Sequence, residues 1–253
     1  MYGNNKTICI AGKNSCAIEA LKFVIKNCKN YKIIALPNKS DKGNDTWQKS
    51  FRKFARKKSI KVVKLDYLYK LKNLYLFSLE YENILNIKKF SSKNLYNLHF
   101  SLLPNYRGCH TNFYQIRDGV NNSGVTLHHI DKGIDTGDII DNIKYKIAIN
   151  DTAYDNYIKL LKYSTILFKK NLNKILQNKH KKIKQNTKKG SYFSRKSIDY
   201  KKLINIKKIE NNLKTHNMIR SLIFEPFQLP KYNGLLIKKS IFKNKKIKII
   251  YKR

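Results

Sequence analysis

Acidic residues are few. Only 16 Asp and Glu stand against 54 Lys and Arg in 253 residues, leaving a formal net charge of +38. Arginine is also scarce, at seven of those 54. The guanidinium is the group that forks onto phosphate, so its scarcity argues against a dedicated nucleic-acid surface. Lysine instead runs along the whole chain, with local densities at 179–189 and 238–248, beside abundant Asn, Ile and Tyr, as in an AT-rich coding background. Charge by itself assigns no function.

Other absences narrow the choice. No apolar stretch approaches the roughly 20 residues of a membrane-spanning helix. Residues 1–36 hold a short apolar run at 8–12 but no block of the signal-peptide kind. A cytoplasmic protein with no membrane partner is expected. The four cysteines, Cys9, Cys16, Cys28 and Cys109, include no C-x-x-C pair, which speaks against a zinc ribbon or a disulfide framework. Gly12 follows the first apolar run without a G-x-G-x-x-G or a P-loop, so a nicotinamide or ATP phosphate fingerprint is missing. No His, Cys and carboxylate grouping has metal-ligand spacing, and no metal is expected.

A hydrophobic fraction of 42%, with 17 Tyr and 12 Phe, is enough to bury a core. Strands are predicted at 7–11, 31–36, 61–63, 74–79, 94–101, 125–130 and 138–145. Helices are predicted at 15–27, capped by Ser15, at 46–56, capped by Thr46, and at 152–177, with an inner face at Tyr157, Leu160, Leu161, Ser164, Leu167, Phe168 and Leu172. Strands separated by helices imply an α/β, Rossmann-like, mainly parallel sheet with its ligand site at the carboxyl ends of the strands. Residues 178–189 read as a solvated Lys-rich link. Residues 190–253 suffice for a small annex with a helix at 208–223 and a β-hairpin of 235–240 with 246–251. The division is therefore 1–177 and 178–253.

Asn97 and His99 lie two apart on a predicted strand and so address one face. Asp135 lies in a glycine-punctuated turn at 131–137. Asn offers a neutral donor to a developing oxyanion. His can take a proton near neutral pH, and a carboxylate can orient it. Spacing alone also allows an Asn and a His that merely satisfy strand-end backbone groups.

The surrounding strings decide between these readings. NLHFSLLPNYRG at 97–108, followed by GVTLH at 124–128 and DKGIDTGD at 131–138, closely resembles the two motifs of the folate-dependent formyltransferases. The resemblance covers about 81–145 and implies that family's fold, with N10-formyltetrahydrofolate as co-substrate and an amine as acceptor. It places catalysis on Asn97, His99 and Asp135. Folate contacts would fall on Glu80, Tyr81, Glu82, Ile130, Asp131 and Gly133, largely through backbone groups. The string Glu80-Tyr81-Glu82 departs from the basic or polar string of some members.

Three acceptors compete in that family: methionyl-tRNA, glycinamide ribonucleotide and a nucleotide-linked amino sugar. The strings PNKSDKG at 37–43, WQKS at 47–50, GCHTN at 108–112, SYFSR at 191–195 and IRSLIFEPF at 219–227 look like the sugar branch. The resemblance then implies a dTDP-linked sugar, with dTDP-4-amino-4,6-dideoxyglucose first and a 3-amino sugar next, for surface polysaccharide synthesis. Substrate contacts would come from Trp47, Gln48, Tyr106, Arg107, His110, Asn112, Tyr192, Arg195, Arg220, Phe224 and Phe227. Aromatics would stack on base or sugar, and Arg107, Arg195 and Arg220 would hold the pyrophosphate. His128 and His129 read as supporting residues. A homodimer through the annex is expected from the resemblance. The alternatives are a methionyl-tRNA formyltransferase lacking a full C-terminal domain and a non-catalytic basic RNA-binding protein.

Overall fold

Apolar runs and amphipathic segments alternate through the first third of the chain, and they become strand and helix in the expected order. A computed structural model describes residues 6–252. Strand β1 (Thr7–Gly12) leads to α1 (Asn14–Asn27), β2 (Lys32–Pro37), α2 (Phe51–Lys57), β3 (Lys61–Val62), α3 (Leu65–Tyr69), β4 (Leu74–Leu79) and β5 (Asn94–His99). Then come the short β6 (Arg107–Gly108), α4 (Thr111–Arg117), β7 (Asn122–His129), β8 (Ile139–Lys146) and the long α5 (Ala153–Leu176). The annex holds β9 (Tyr192–Phe193), α6 (Tyr200–Leu203), β10 (Asn205–Ile206), α7 (Leu213–Leu222), β11 (Lys231–Tyr232), β12 (Leu235–Lys243) and β13 (Lys246–Tyr251).

The main sheet runs β3-β2-β1-β4-β5-β7-β8. Its first five strands are parallel, β7 is antiparallel to β5, and β8 is antiparallel to β7. The chain order reverses between β1 and β4, a switch point that opens a crevice at the carboxyl ends of these strands. Strands β1 and β4 are buried along their whole length, as parallel strands covered on both faces must be. Helix α5 packs Tyr157, Leu160, Leu167, Phe168 and Leu172 into one core with α1 and the sheet. Truncating fully buried Phe168 to Ala would cost about 3–5 kcal/mol.

Several boundaries differ from expectation. Helix α1 starts one residue early, behind Lys13, which makes no side-chain cap bond. The Asn14 side chain instead accepts the Cys16 N–H at 3.0 Å. Helix α2 starts at Phe51 with Ser50 as its cap. The Thr46 cap fails because residues 45–50 fold into a turn, in which Ser50 N–H donates to Asp45 and Ser50 Oγ to Asp41. Helix α7 is shorter than the expected 208–223 and begins after Asn212, whose side chain accepts the Thr215 N–H at 2.8 Å.

The Lys-rich link is not simply solvated. Ile183 and Ile139 exchange backbone hydrogen bonds at 2.8 Å each, so the segment straps across the β7–β8 turn. The annex hairpin is present and belongs to a four-stranded sheet, β10-β11-β12-β13, packed on α7 through Ile219, Ile223 and Ile237.

Candidate active site

A cleft of about 730 Å³ opens at the switch point. Its walls come from the ends of four parallel strands: Lys13 after β1, Asn38 after β2, 80–85 after β4, and Asn97 to His99 on β5. The β7–β8 turn adds Ile130, Gly133, Ile134 and Asp135, and the 108–112 loop closes one side. Glu80, Tyr106, His110 and Asp135 all have φ between +54° and +59°. Of these, Glu80, His110 and Asp135 line the cleft, and Tyr106 points its carbonyl at His99 on the cleft wall.

Asn97, His99 and Asp135 meet as expected. His99 is 7% exposed. Its Nε2 lies 2.7 Å from the Tyr106 carbonyl, which can only accept, so Nε2 carries a proton. In the neutral ring the bare nitrogen is therefore Nδ1, and it faces Asp135 Oδ2 at 3.4 Å. The backbone carbonyl fixes the tautomer, while the carboxylate addresses the nitrogen free to take a proton.

Asp135 Oδ2 also accepts the Gly108 N–H at 2.8 Å, and Oδ1 accepts from Asn97 Nδ2 at 3.2 Å. Gly108 has φ +89°, and a Cβ there would lie 2.1 Å from the Phe193 carbonyl oxygen. Only glycine brings this N–H to the carboxylate without strain. His128, on β7 opposite Asn97, places Nδ1 2.7 Å from the His129 carbonyl, and its Nε2 lies 3.2 Å from Asn97 Nδ2 and 3.5 Å from Asp135 Oδ1. Both amide hydrogens of Asn97 thus have partners, each at the long end of the normal range.

Burial and the facing groups pull on His99 and Asp135 in opposite directions. Burial lowers the His99 pKa, against the opposing pull of Asp135 and the Tyr106 carbonyl. Burial alone would raise Asp135, yet the neighbouring His99 and His128 imidazoles and the Gly108 N–H hold it well below the usual carboxylate range.

Across the cleft, burial raises Glu80 above the ordinary glutamate value despite Lys13, Asn14 and Tyr157. Its Oε2 accepts from Asn14 Nδ2 and from Tyr157 OH, and Gln48 Nε2 donates to the same hydroxyl at 2.6 Å. Glu82 is tied to Lys39 N–H and to Ser40 Oγ, and its carbonyl accepts from Arg195 Nη2 at 2.9 Å. These side chains brace the loops after β2 and β4.

Of the other expected contacts, Tyr81, His110, Asn112, Tyr192 and Arg195 line the cleft with Glu80, Glu82, Ile130 and Gly133. Asp131 does not; its carboxylate accepts from Gly133 N–H and Thr136 Oγ1 and shapes the turn. Tyr106 serves through its carbonyl, its hydroxyl being bonded to Asp118. Arg107 reaches Thr187 O at 3.4 Å and lies outside the cleft walls.

Arg220 is a correction. It is 3% exposed, donates to Asp151 O and Asn217 Oδ1, and burial brings its pKa down to about 10. Such a guanidinium stitches α7 to the loop before α5 and cannot reach a pyrophosphate in the cleft. Trp47, Phe224 and Phe227 also lie outside it, packed edge-on as an aromatic cluster. Trp47 and Gln48 border a separate cavity of about 240 Å³. Lys13, Asn38 and Tyr157 line the cleft without having been singled out as site residues. The position of Lys13 and Asn38 directly after the first two strands was the available signal. Among the described residues no group of three or more His, Cys, Asp or Glu side chains is arranged to hold a metal ion.

Known proteins resemble this chain in sequence and in fold. A formyl transferase family model matches residues 81–172. The bifunctional polymyxin resistance protein ArnA of Wigglesworthia glossinidia brevipalpis is 39% identical over 162 residues, 62% of this chain and 24% of that longer protein. Methionyl-tRNA formyltransferase of Clostridium tetani is 27% identical over 247 residues, 91% of this chain and 78% of that protein. The N-formyltransferase of Helicobacter canadensis, solved with folinic acid and dTDP-3-aminofucose, superposes with a TM-score of 0.89 at 45% identity, covering 95% of this chain and 88% of the other. WlaRD, a sugar 3N-formyl transferase solved in the presence of dTDP and 5-N-formyl-THF, gives 0.90 at 46%, covering 96% and 88%. With a buried Asn–His–Asp group at the sheet's switch point and relatives this similar over most of their length, the chain belongs to the formyl transferase family.

Proposed function

We propose that the protein transfers a formyl group from N10-formyltetrahydrofolate to the amino group of a dTDP-linked 3-amino-3,6-dideoxyhexose. The observation that carries the acceptor is the pair of structures at 45% and 46% identity, one an N-formyltransferase in complex with dTDP-3-aminofucose and the other a sugar 3N-formyl transferase in the presence of dTDP. The 3-amino position accordingly takes precedence over the 4-amino sugar expected first. The methionyl-tRNA formyltransferase is a more distant relative, at 27% identity.

The cleft's size suits ligands of this kind. Ile84, Leu85, Ile130 and Ile134 offer apolar walls for a flat ring, and the folate, when bound, supplies the electrophilic formyl carbon. The sugar's neutral amine forms the new C–N bond there as the bond from formyl carbon to folate nitrogen breaks. His99 Nδ1 takes the proton the amine loses, the resulting imidazolium faces Asp135 at the same nitrogen, and one proton returns to the departing folate nitrogen, so tetrahydrofolate leaves neutral and His99 is again a base. Asn97 turns one of its two long hydrogen bonds onto the formyl oxygen as that oxygen gains charge. Tyr192, Arg195, His110 and Asn112, on the annex side of the cleft, hold the nucleotide portion.

The division at residue 177, a homodimer through the annex, a cytoplasmic location and a role in surface polysaccharide synthesis belong to the same proposal. The test is turnover with formyl-folate and a panel of dTDP-linked 3-amino and 4-amino sugars, with UDP-linked counterparts, followed by mass spectrometry. A formylated dTDP-3-amino sugar as best product supports the reading. Turnover confined to another nucleotide or to the 4-amino sugars contradicts it.

A further inference from the structure

We infer that Gln185, in the Lys-rich strap behind the cleft, is a positioning residue that holds the Asp135 turn in its reactive shape. The inference rests on the catalytic assignment proposed above. Asp135 sits at φ +54°, a left-handed conformation that disfavours a residue carrying a Cβ, and neighbouring groups hold it there. Asn97 and Gly108 hold its carboxylate. Its backbone is held by Gln185, whose Nε2 donates to the Asp135 carbonyl at 3.2 Å and to the Gly137 carbonyl at 2.6 Å. One amide thus fixes both sides of the Asp135-Thr136-Gly137 turn.

The strap can bear this role because it is anchored. Ile183, two residues before Gln185, exchanges two backbone hydrogen bonds with Ile139 at the start of β8. His180 packs on His129 at the end of β7, their Nε2 atoms 3.1 Å apart. Turn and strap are therefore pinned from both flanking strands. Gln185 Oε1 is buried without a partner. An unpaired buried acceptor is costly, and this side chain is oriented by its donors at that expense. Donors are what two carbonyls require, and no carboxylate or apolar group of the same length supplies them.

The test compares wild type, Gln185→Met, Gln185→Glu, Asp135→Asn and the double variant Asp135→Asn/Gln185→Met. The isosteric Met lacks both donors. It should lower kcat about 10- to 30-fold, the kinetic equivalent of losing one or two ordinary hydrogen bonds, with KM for both substrates nearly unchanged and a melting temperature lower by a few degrees. In the Asp135→Asn background the same change should cost little more, because residues acting as one unit are non-additive. Gln185→Glu should recover activity as the pH falls, when a protonated carboxyl can again donate. Additive losses of kcat, or a fall in melting temperature with kcat unchanged, would overturn the inference.

A second readout needs no turnover, so failure of the functional reading is distinguishable. The His99 imidazole, followed by NMR, faces two titratable groups, Asp135 and His128, with the Tyr106 carbonyl on its other nitrogen. Asp135 supports its protonation. If Gln185→Met loosens the Asp135 turn, the His99 midpoint should fall below that of wild type; an unmoved midpoint contradicts the positioning role even in a protein that formylates nothing offered.

Discussion

His99 differs from an imidazole whose two nitrogens divide their work between an orienting carboxylate and the substrate. Here a main-chain carbonyl holds Nε2, and Asp135 faces the nitrogen proposed to take the proton. His99→Ala should reduce kcat by about 10²–10⁴, and Asn97→Ala by about 10²–10³, in proteins that remain folded by circular dichroism. A folded His99→Ala enzyme with near-normal kcat would remove the proposed base. Asp135→Asn carries a sign of its own. The carboxylate raises the His99 pKa against burial, so its loss should push that pKa further down. The acid limb of the kcat/KM profile should therefore move to lower pH while the plateau falls. An unchanged rate and profile would make Asp135 a structural turn residue only.

At the scale of elements, local sequence specified helices wherever capping and periodicity agreed. Thr152 and Asp155 form a reciprocal capping box at the start of α5, and the inner face read from the sequence is the buried one. Thr152→Ala should cost about 1 kcal/mol, a fall of roughly 2–4 °C in melting temperature for a chain of this size, with kcat unchanged. A fall in kcat without a fall in melting temperature would tie the helix start to the site instead.

Legibility ended where long-range partners decide. Thr46 lost its helix to Ser50 because Asp41 and Asp45 fold the preceding residues into a turn. Arg220 looked available for phosphate, but α7 turns it inward onto the Asp151 carbonyl. Residues 178–189 looked solvated because lysine dominates their composition, while His180, Ile183 and Gln185 make the inward contacts. The grouping of Asn97, His99 and Asp135, by contrast, was legible because strand alternation, a glycine-rich turn and two family motifs all pointed to it.

At the scale of the whole molecule, buried histidines should shape stability more visibly than the +38 charge identifies a partner. Burial lowers His99, His180 and His216 below the ordinary value and pushes His129 down to about 4. A folded pKa below the unfolded one means the unfolded chain binds protons first. These groups therefore erode stability as pH falls below about 6.5. Asp135, held low, loses its contribution only below the ordinary carboxylate range. Glu80, held high, works in the opposite direction, its cost growing as pH rises above its unfolded value. Four groups against one predict a lower melting temperature at pH 5 than at pH 7; an equal or higher value at pH 5 would contradict that balance.

The most direct test of the central claim is a partition experiment with limiting, formyl-labelled N10-formyltetrahydrofolate, offered together with equimolar dTDP-3-amino-3,6-dideoxyhexose and methionyl-tRNA. The expected result is label in the sugar nucleotide, with transfer reduced about 10²–10⁴-fold in His99→Ala. Label recovered in the tRNA, or transfer to the sugar undiminished without His99, would contradict the account.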